Sequence, residues 1–244
     1  MEKPVALPPL RAVLFDAYGT LFDVYSVGLL AEQLFPGKGE ALAALWRDKQ
    51  IEYTRLVTMA APGGERYRPF WEITRDGLRY ACKRLGLALG AEAESRLMNQ
   101  YRALSAFPEN REVLQALKDL GIPRAILSNG DPAMLDVAVR SAGLHEVLDH
   151  VISVEPLRVF KPDMRVYALG LSVLRQAQPG LAAKNVLFVS SNGWDAAGAA
   201  WFGFTTFWLN RAGLPREELH VAPAVEGRNL HELLALFGLG EAGA

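Results

Sequence analysis

Five short runs rich in Val, Leu, Ile and Phe set the tightest limit on how this chain can fold. They are AVLF (12–15), RAIL (124–127), VISV (151–154), NVLFV (185–189) and TTFWL (205–209). Helical patterns separate the later ones. REVLQALKDLG precedes the second run and PAMLDVAVRSAGL follows it, DMRVYALGLSVLRQA follows the third, and WDAAGAAWFG follows the fourth. Near-continuous apolar strands alternating with amphipathic helices predict an α/β fold with a parallel sheet covered on both faces.

The first run breaks this rhythm. Between about residues 24 and 102 no strand pattern stands out. Four helical stretches occupy the interval: SVGLLAEQLF, EALAALWRDKQIEYTRLVTM, PFWEITRDGLRYACKRLG and AEAESRLMNQYRAL. The turn-rich AAPGGERYRP interrupts them. The expected organisation is an α/β core of residues 1–23 and 103–244, with an all-helical cap, 24–102, inserted after strand one. NLHELLALFG reads as a last helix, and Gly240 onward as a frayed tail.

Composition removes several classes of function. The 244 residues carry 26 basic and 27 acidic side chains, so bulk charge favours neither nucleic acid nor an acidic membrane. The start, MEKPVALPPLRAVLF, has too short an apolar run for a signal peptide, and no stretch approaches the ~20 apolar residues of a membrane helix. Cys82 is the single cysteine, so no intrachain disulfide can form and a reducing, cytoplasmic location is expected. Within LRYACKRLG it reads as a packed side chain rather than a nucleophile.

In open parallel sheets, ligands bind beyond the carboxyl ends of the strands. Strand one is followed by Asp16 and then Thr20. The second is followed by Ser128, Asn129 and Gly130, and the third by a loop ending FKPD with Lys161. The fourth leads into Ser190, Ser191, Asn192 and Asp195. Singly, each has a bland reading: a turn-forming Asp16, a turn at SNGD, a solvated Lys161, an Asp195 favoured by a helix dipole. Four on one sheet edge favour a site. Lys161 near Asp16 would keep that carboxylate an ionised nucleophile. The N–H groups of the turn after Asp16 and those at 128–130 are candidates to hold an anion. No histidine follows a strand end, and His145, His150, His220 and His231 read as structural or surface residues.

These motifs, in this order, resemble the haloacid dehalogenase superfamily: FDAYGTLFD as the nucleophile motif, LSNGD as the second, FKPD as the third and FVSSNGWDAAGA as the fourth. The resemblance implies a Rossmann-like, HAD-like core with a helical cap. Most members are Mg²⁺-dependent phosphohydrolases with Asp-x-Asp at the first motif and a pair of metal-binding acids at the fourth. Here Tyr18 replaces the second Asp, and Ser191 replaces the first acid of the pair, leaving Asp16 and Asp195. A departing halide needs no proton, and a carbon–halogen bond has no phosphoryl oxygens to clamp. The pattern therefore resembles the L-2-haloacid dehalogenase branch, for which WRDKQIEYTRL (46–56) and SSNGWD are the more specific matches.

That resemblance implies these roles. Asp16 attacks C2 of the substrate and forms an ester. Arg47 and Asn129 receive the halide beside Trp194. Ser128 and nearby backbone N–H groups hold the substrate carboxylate. Lys161 orients Asp16, and Thr20, Tyr167, Ser190, Asn192 and Asp195 position Lys161 and the hydrolytic water. Ala17, Tyr18 and Ile51 complete the substrate-binding set, with Tyr18 an apolar wall carrying a polar tip. Pro162 is expected to open the helix after Lys161. The resemblance implies no metal or other cofactor, a small haloacid as the partner, and a homodimer.

On helical spacing Arg47, Ile51 and Thr54 share one face, and Leu42, Leu45, Lys49, Tyr53 and Leu56 another, which is expected to pack. Spacing alone prefers a solvated Arg47; the resemblance reverses that. Two rivals stand beside the dehalogenase: a Mg²⁺-dependent phosphatase or phosphonatase of the same superfamily, and a non-catalytic small-anion-binding protein. A phosphonatase needs a cap lysine, and Lys49, on the packing face, is the one lysine of that second helix.

Overall fold

Four strands of the sheet are buried along their whole length, which is why they read as unbroken apolar runs. The structure, a computed structural model, describes residues 7–239; the first six residues and the tail from Gly240 lie outside them. The strands are β1 (Ala12–Phe15), β2 (Arg124–Ser128), β3 (His150–Ser153), β4 (Val186–Ser190), β5 (Thr205–Leu209) and β6 (Val225–Gly227), all parallel, in the order β3-β2-β1-β4-β5-β6. The order reverses at β1, the strand that ends in Asp16, where doubly wound sheets open a ligand crevice. β6 is an addition to the five strands expected. It has three residues, one of them Glu226, and carries no apolar run to announce it.

Eight α-helices are described: α1 (Val27–Leu34), α2 (Gly39–Ala60), α3 (Phe70–Arg84), α4 (Ala91–Arg102), α5 (Asn110–Asp119), α6 (Pro132–Ser141), α7 (Met164–Ala177) and α8 (Gly193–Phe202). The first four lie between β1 and α5, and α2 packs against both α1 and α3. The segments joining them to the sheet run side by side: Asp23 N–H donates to Ser105 O, and Phe107 N–H to Leu21 O.

Three local expectations need correction. The stretch Leu230–Phe237 is a 3-10 helix, begun by Asn229 and Glu232 bonding reciprocally to each other's backbone N–H. Pro162 does not open α7; Asp163 caps that helix by accepting from Arg165 N–H. On α2 the packed face includes Leu42, Trp46 and Gln50, whereas Leu56 is exposed and Lys49 and Tyr53 are half-buried. Trp46 wins that face because its indole N–H reaches the Thr74 carbonyl of α3 at 2.7 Å. Cys82 is buried in α3 as packing, and all four histidines are exposed.

Candidate active site

β1 delivers Asp16 to the crevice, and Gly19 turns the chain away from it with φ +95°, a conformation that favours glycine. Asp16 is 6% exposed and both of its oxygens are held. Lys161 Nζ donates to Oδ1 at 3.0 Å; Thr20 Oγ1 and Asn192 Nδ2 donate to Oδ2 at 3.1 and 2.9 Å. Lys161, 1% exposed, also donates to Asp195 Oδ2 at 2.8 Å, so one ammonium bridges two carboxylates. Burial opposes the Lys161 charge, but the two carboxylates outweigh it and hold its pKa above the usual lysine value. Asp195 is wholly buried. That burial pushes its carboxyl up, against the pull of Lys161.

Asp195 is fixed on three sides. Tyr167 hydroxyl donates to Oδ1 at 2.8 Å, Ser190 Oγ donates to Oδ2 at 3.2 Å, and Lys161 completes the set. Gly198 on α8 makes room for that tyrosine, since a Cβ there would lie 2.5 Å from its hydroxyl. Burial drives the Tyr167 phenol far above its ordinary pKa, so it is a permanent donor. Thr20 Oγ1 in turn accepts from Ser191 N–H at 2.9 Å, and Ser190 Oγ from Asn192 N–H at 3.1 Å.

Opposite this cluster, α2 brings in Arg47. It is a buried arginine, 7% exposed, not a solvated one. Its Nη2 donates to Tyr18 O at 2.9 Å and to Asn192 Oδ1 at 3.2 Å, and its Nη1 to Gln50 Oε1 at 2.7 Å. Between Arg47 and Asp16 lies a small, tight cavity. Asp16, Arg47 and Asn192 line it, together with Tyr18, Ile51, Ser128, Asn129 and Trp194. Thr20, Lys161, Tyr167, Ser190 and Asp195 are not on its wall; they form the layer bonded behind Asp16. Ala17 does not line it either: it is fully buried, and its carbonyl accepts the N–H groups of Thr20, Leu21 and Phe22.

That turn alters one expectation about anion binding. The N–H groups of residues 19 to 22 are used within the turn itself, and Gly130 N–H donates to Ser128 Oγ. These are not free to cradle a ligand, which narrows the candidates to the N–H groups of Ala17, Tyr18 and Asn129. Asn129 Oδ1 accepts from Lys161 N–H at 2.9 Å, which ties the second strand end to the third. Tyr18 is buried, its hydroxyl is without a hydrogen-bond partner, and its ring stacks with Tyr101 at 5.9 Å. It is a wall of the cavity at the position of the absent second acid.

Thr54 and Phe70 also line the cavity and were not singled out as site residues, although Thr54 shares the Arg47 helical face. Phe70 gives no sequence signal beyond starting a helix. Gln50 was missed as well; a polar residue at i+3 from Arg47 on a packed face was the available clue. A larger depression runs along the β3 edge beside Val139, Leu148 and Val151, but its Asp136 and Arg140 are exposed and paired with each other. Among the described residues no group of three or more His, Cys, Asp or Glu side chains could hold a metal ion.

Comparison with known proteins points to one family. A family model for haloacid dehalogenase-like hydrolases matches residues 10–203. An (S)-2-haloacid dehalogenase of Pseudomonas sp. (strain YL) is 45% identical over 228 residues, covering 93% of this chain and 94% of that one. The crystal structure of an L-2-haloacid dehalogenase superposes with a TM-score of 0.91 at 57% identity, over 95% of this chain and all of the other. An L-2-haloacid dehalogenase from Xanthobacter autotrophicus, solved with chloropropionic acid covalently bound, gives 0.83 at 37% identity with 95% and 100% coverage. The aspartate at the reversal of the sheet, the bridging lysine and these near full-length matches lead to one assignment: the chain belongs to the haloacid dehalogenase-like hydrolases.

Proposed function

We propose that this chain is an (S)-2-haloacid dehalogenase, a hydrolase that converts short (S)-2-haloalkanoic acids to (R)-2-hydroxy acids without a cofactor. The observation that carries the reading is a cavity walled on one side by the fully oriented carboxylate of Asp16 and on the other by the buried guanidinium of Arg47.

In the proposed mechanism an Asp16 oxygen attacks C2 in line with the carbon–halogen bond. The new C–O bond forms as the halide leaves toward Arg47, whose fixed charge meets a negative charge that grows only in the transition state. Asn129 contributes Nδ2, since its Oδ1 is committed to Lys161 N–H. Trp194 and Ile51 exclude water, and the Ser128 hydroxyl takes the substrate carboxylate. Tyr18 is an apolar wall, because no proton needs delivering to a halide.

The second half-reaction returns the enzyme. Water attacks the carbonyl carbon of the Asp16 ester, the acyl–oxygen bond breaks, one proton of that water passes to the departing alkoxide oxygen and the other to solvent, and the 2-hydroxy acid departs with Asp16 restored as a carboxylate. Whichever Asp16 oxygen remains as the carbonyl already has donors upon it: Lys161 on one side, Thr20 and Asn192 on the other. They would stabilise the oxyanion without reorganising. Asp195, held by Tyr167 and Ser190, keeps Lys161 in place and is the carboxylate on that side for the water's proton.

The proposal includes the division into a core of residues 1–23 and 103–244 and a cap of 24–102, with the cavity at their junction. It extends to a cytoplasmic homodimer, which light scattering on the purified protein tests. Among the described residues no helix is long and apolar enough to cross a membrane. The phosphatase reading is disfavoured by Tyr18 and Ser191, which stand where that chemistry needs carboxylates.

The deciding assay measures halide release from each enantiomer of 2-chloropropionate beside a phosphatase substrate, with EDTA and with Mg²⁺. Release from the S enantiomer, indifferent to both additions, is expected. Activity abolished by EDTA and restored by Mg²⁺ overturns the reading.

A further inference from the structure

Three helices meet at one buried amide, that of Gln50. Its Oε1 accepts from Arg47 Nη1 at 2.7 Å and from the Tyr101 hydroxyl of α4 at 2.9 Å. Its Nε2 donates to Thr74 Oγ1 of α3 at 2.5 Å, and the Thr74 hydroxyl donates to Phe70 O at 2.7 Å. Gln50 and Thr74 are fully buried, and Tyr101 nearly so.

The chain of donors has one consistent direction. A backbone carbonyl can only accept, so Thr74 gives its single proton to Phe70 O and offers Gln50 lone pairs alone. The Nε2 end of the amide must then face Thr74, and the Oε1 end must face Arg47. Turned over, the amide would set N–H groups against a guanidinium that has no lone pair to accept them. Buried polar groups cost free energy unless every member is satisfied, and an apolar side chain would fill this seam more simply. The relay reaches the cavity wall at Arg47, whose other edge is tied to Tyr18 O and Asn192.

We propose that Gln50, oriented by Thr74 and Tyr101, is a positioning residue that presents Arg47 to the departing halide. The inference rests on the dehalogenase reading. Two anchors on opposite edges of the guanidinium fix its plane. With the Gln50 anchor lost, Arg47 pivots on the remaining one, and misplacement of a fixed charge falls on the chemical step more than on binding.

Thr74 supplies the test, because it does not line the cavity and makes no hydrogen bond to Arg47 or Asp16. Thr74→Val keeps the shape and removes the hydroxyl; Thr74→Ser keeps the hydroxyl and removes a methyl group. With (S)-2-chloropropionate, Thr74→Val should lose roughly tenfold or more in kcat, with KM within about threefold. The loss should be smaller with 2-bromopropionate, whose better leaving group draws less on Arg47. Thr74→Ser should stay within about twofold of the wild-type kcat, even if its Tm falls further. An unchanged kcat in Thr74→Val, or a kcat that follows Tm across both variants, overturns the proposal. If Thr74→Val does not fold, Gln50→Leu is held to the same chloride-against-bromide criterion. Wild-type halide release is the separate control: its absence defeats the dehalogenase reading and this inference together, whereas its presence with an unchanged Thr74→Val defeats the inference alone.

Discussion

The two sides of the cavity are built in opposite ways. On the sheet side, β1, β2 and the β4–α8 junction each contribute a short polar cluster at the end of an apolar strand, and the loop after β3 backs them with Lys161. On the helical side α2 supplies most of the wall, through Arg47, Ile51 and Thr54, and Phe70 of α3 adds to it. The sheet side is rigid because its members bond to one another: Lys161 bridges Asp16 and Asp195, and Asn129 accepts from the Lys161 backbone. The helical side depends on tertiary anchors, with Arg47 tied to Gln50 in one direction and to Tyr18 and Asn192 in the other. The proposed nucleophile thus sits in a preformed frame, and the charge proposed to bind the halide spans the junction between the two sides.

Substitutions should expose that asymmetry. On the sheet side, Asp16→Asn removes the proposed nucleophile while keeping its shape. Halide release should fall on the order of 10⁴-fold or more, measured as kcat with folding checked by circular dichroism. On the helical side, Arg47→Lys keeps the charge but loses the planar fork that reaches Gln50 and Tyr18 together. A kcat loss on the order of 10²-fold is expected, smaller than that at Asp16. Equal losses at the two positions would break the comparison, and near wild-type kcat in Arg47→Lys would remove Arg47 from the chemistry.

The pH profile sharpens the account of the sheet side. The Asp16 and Asp195 carboxylates hold the Lys161 ammonium above its ordinary value of 10.5. A raised folded-state pKa means that the protonated bridge, and the stability it contributes, is fully present below the unfolded value. Both are lost only as pH rises through the folded value. The alkaline limb of kcat/KM, which reports the free enzyme, should therefore lie above pH 10.5, and a limb near neutrality would contradict the bridging geometry. The smallest effect concerns Cys82, whose thiol burial pushes up to about 11. Iodoacetamide at pH 8 should leave Cys82 unmodified and activity unchanged, with alkylation only in denaturant.

The sheet side was legible because burial on both faces forces unbroken apolar strands, and a polar residue at the end of such a strand has few structural uses. β6 escaped notice because an edge strand of three residues with Glu226 has no such pattern. The helical side was harder to read. α2 buries Trp46, Arg47, Gln50 and Thr54 while exposing Leu56 and Met59, so hydrophobic spacing points the wrong way. Arg47 is buried because partners distant in sequence satisfy it, and no local pattern encodes those partners. Family resemblance singled out Arg47; Gln50 and Thr74, which hold it from behind, needed the packed helices to be seen. Likewise the turn after Asp16 has anion-binding composition, yet the N–H groups of its residues 19 to 22 close the turn on Ala17 and Phe22, leaving those of Ala17 and Tyr18 outside that closure.

The central claim is that Asp16 becomes covalently attached to C2 and that water then attacks its carbonyl carbon. A single turnover of (S)-2-chloropropionate in ¹⁸O-water, with enzyme in excess, tests it most directly. Displacement from the side opposite the halide inverts C2 once, and hydrolysis at the acyl carbon leaves C2 untouched. The lactate should be the R enantiomer and carry no label, because its new oxygen comes from Asp16. The label should be found on Asp16 by mass spectrometry of the digested protein, with Asp195 unlabelled. Label in the first-turnover lactate and none on Asp16 would show water attacking C2 directly and contradict the account.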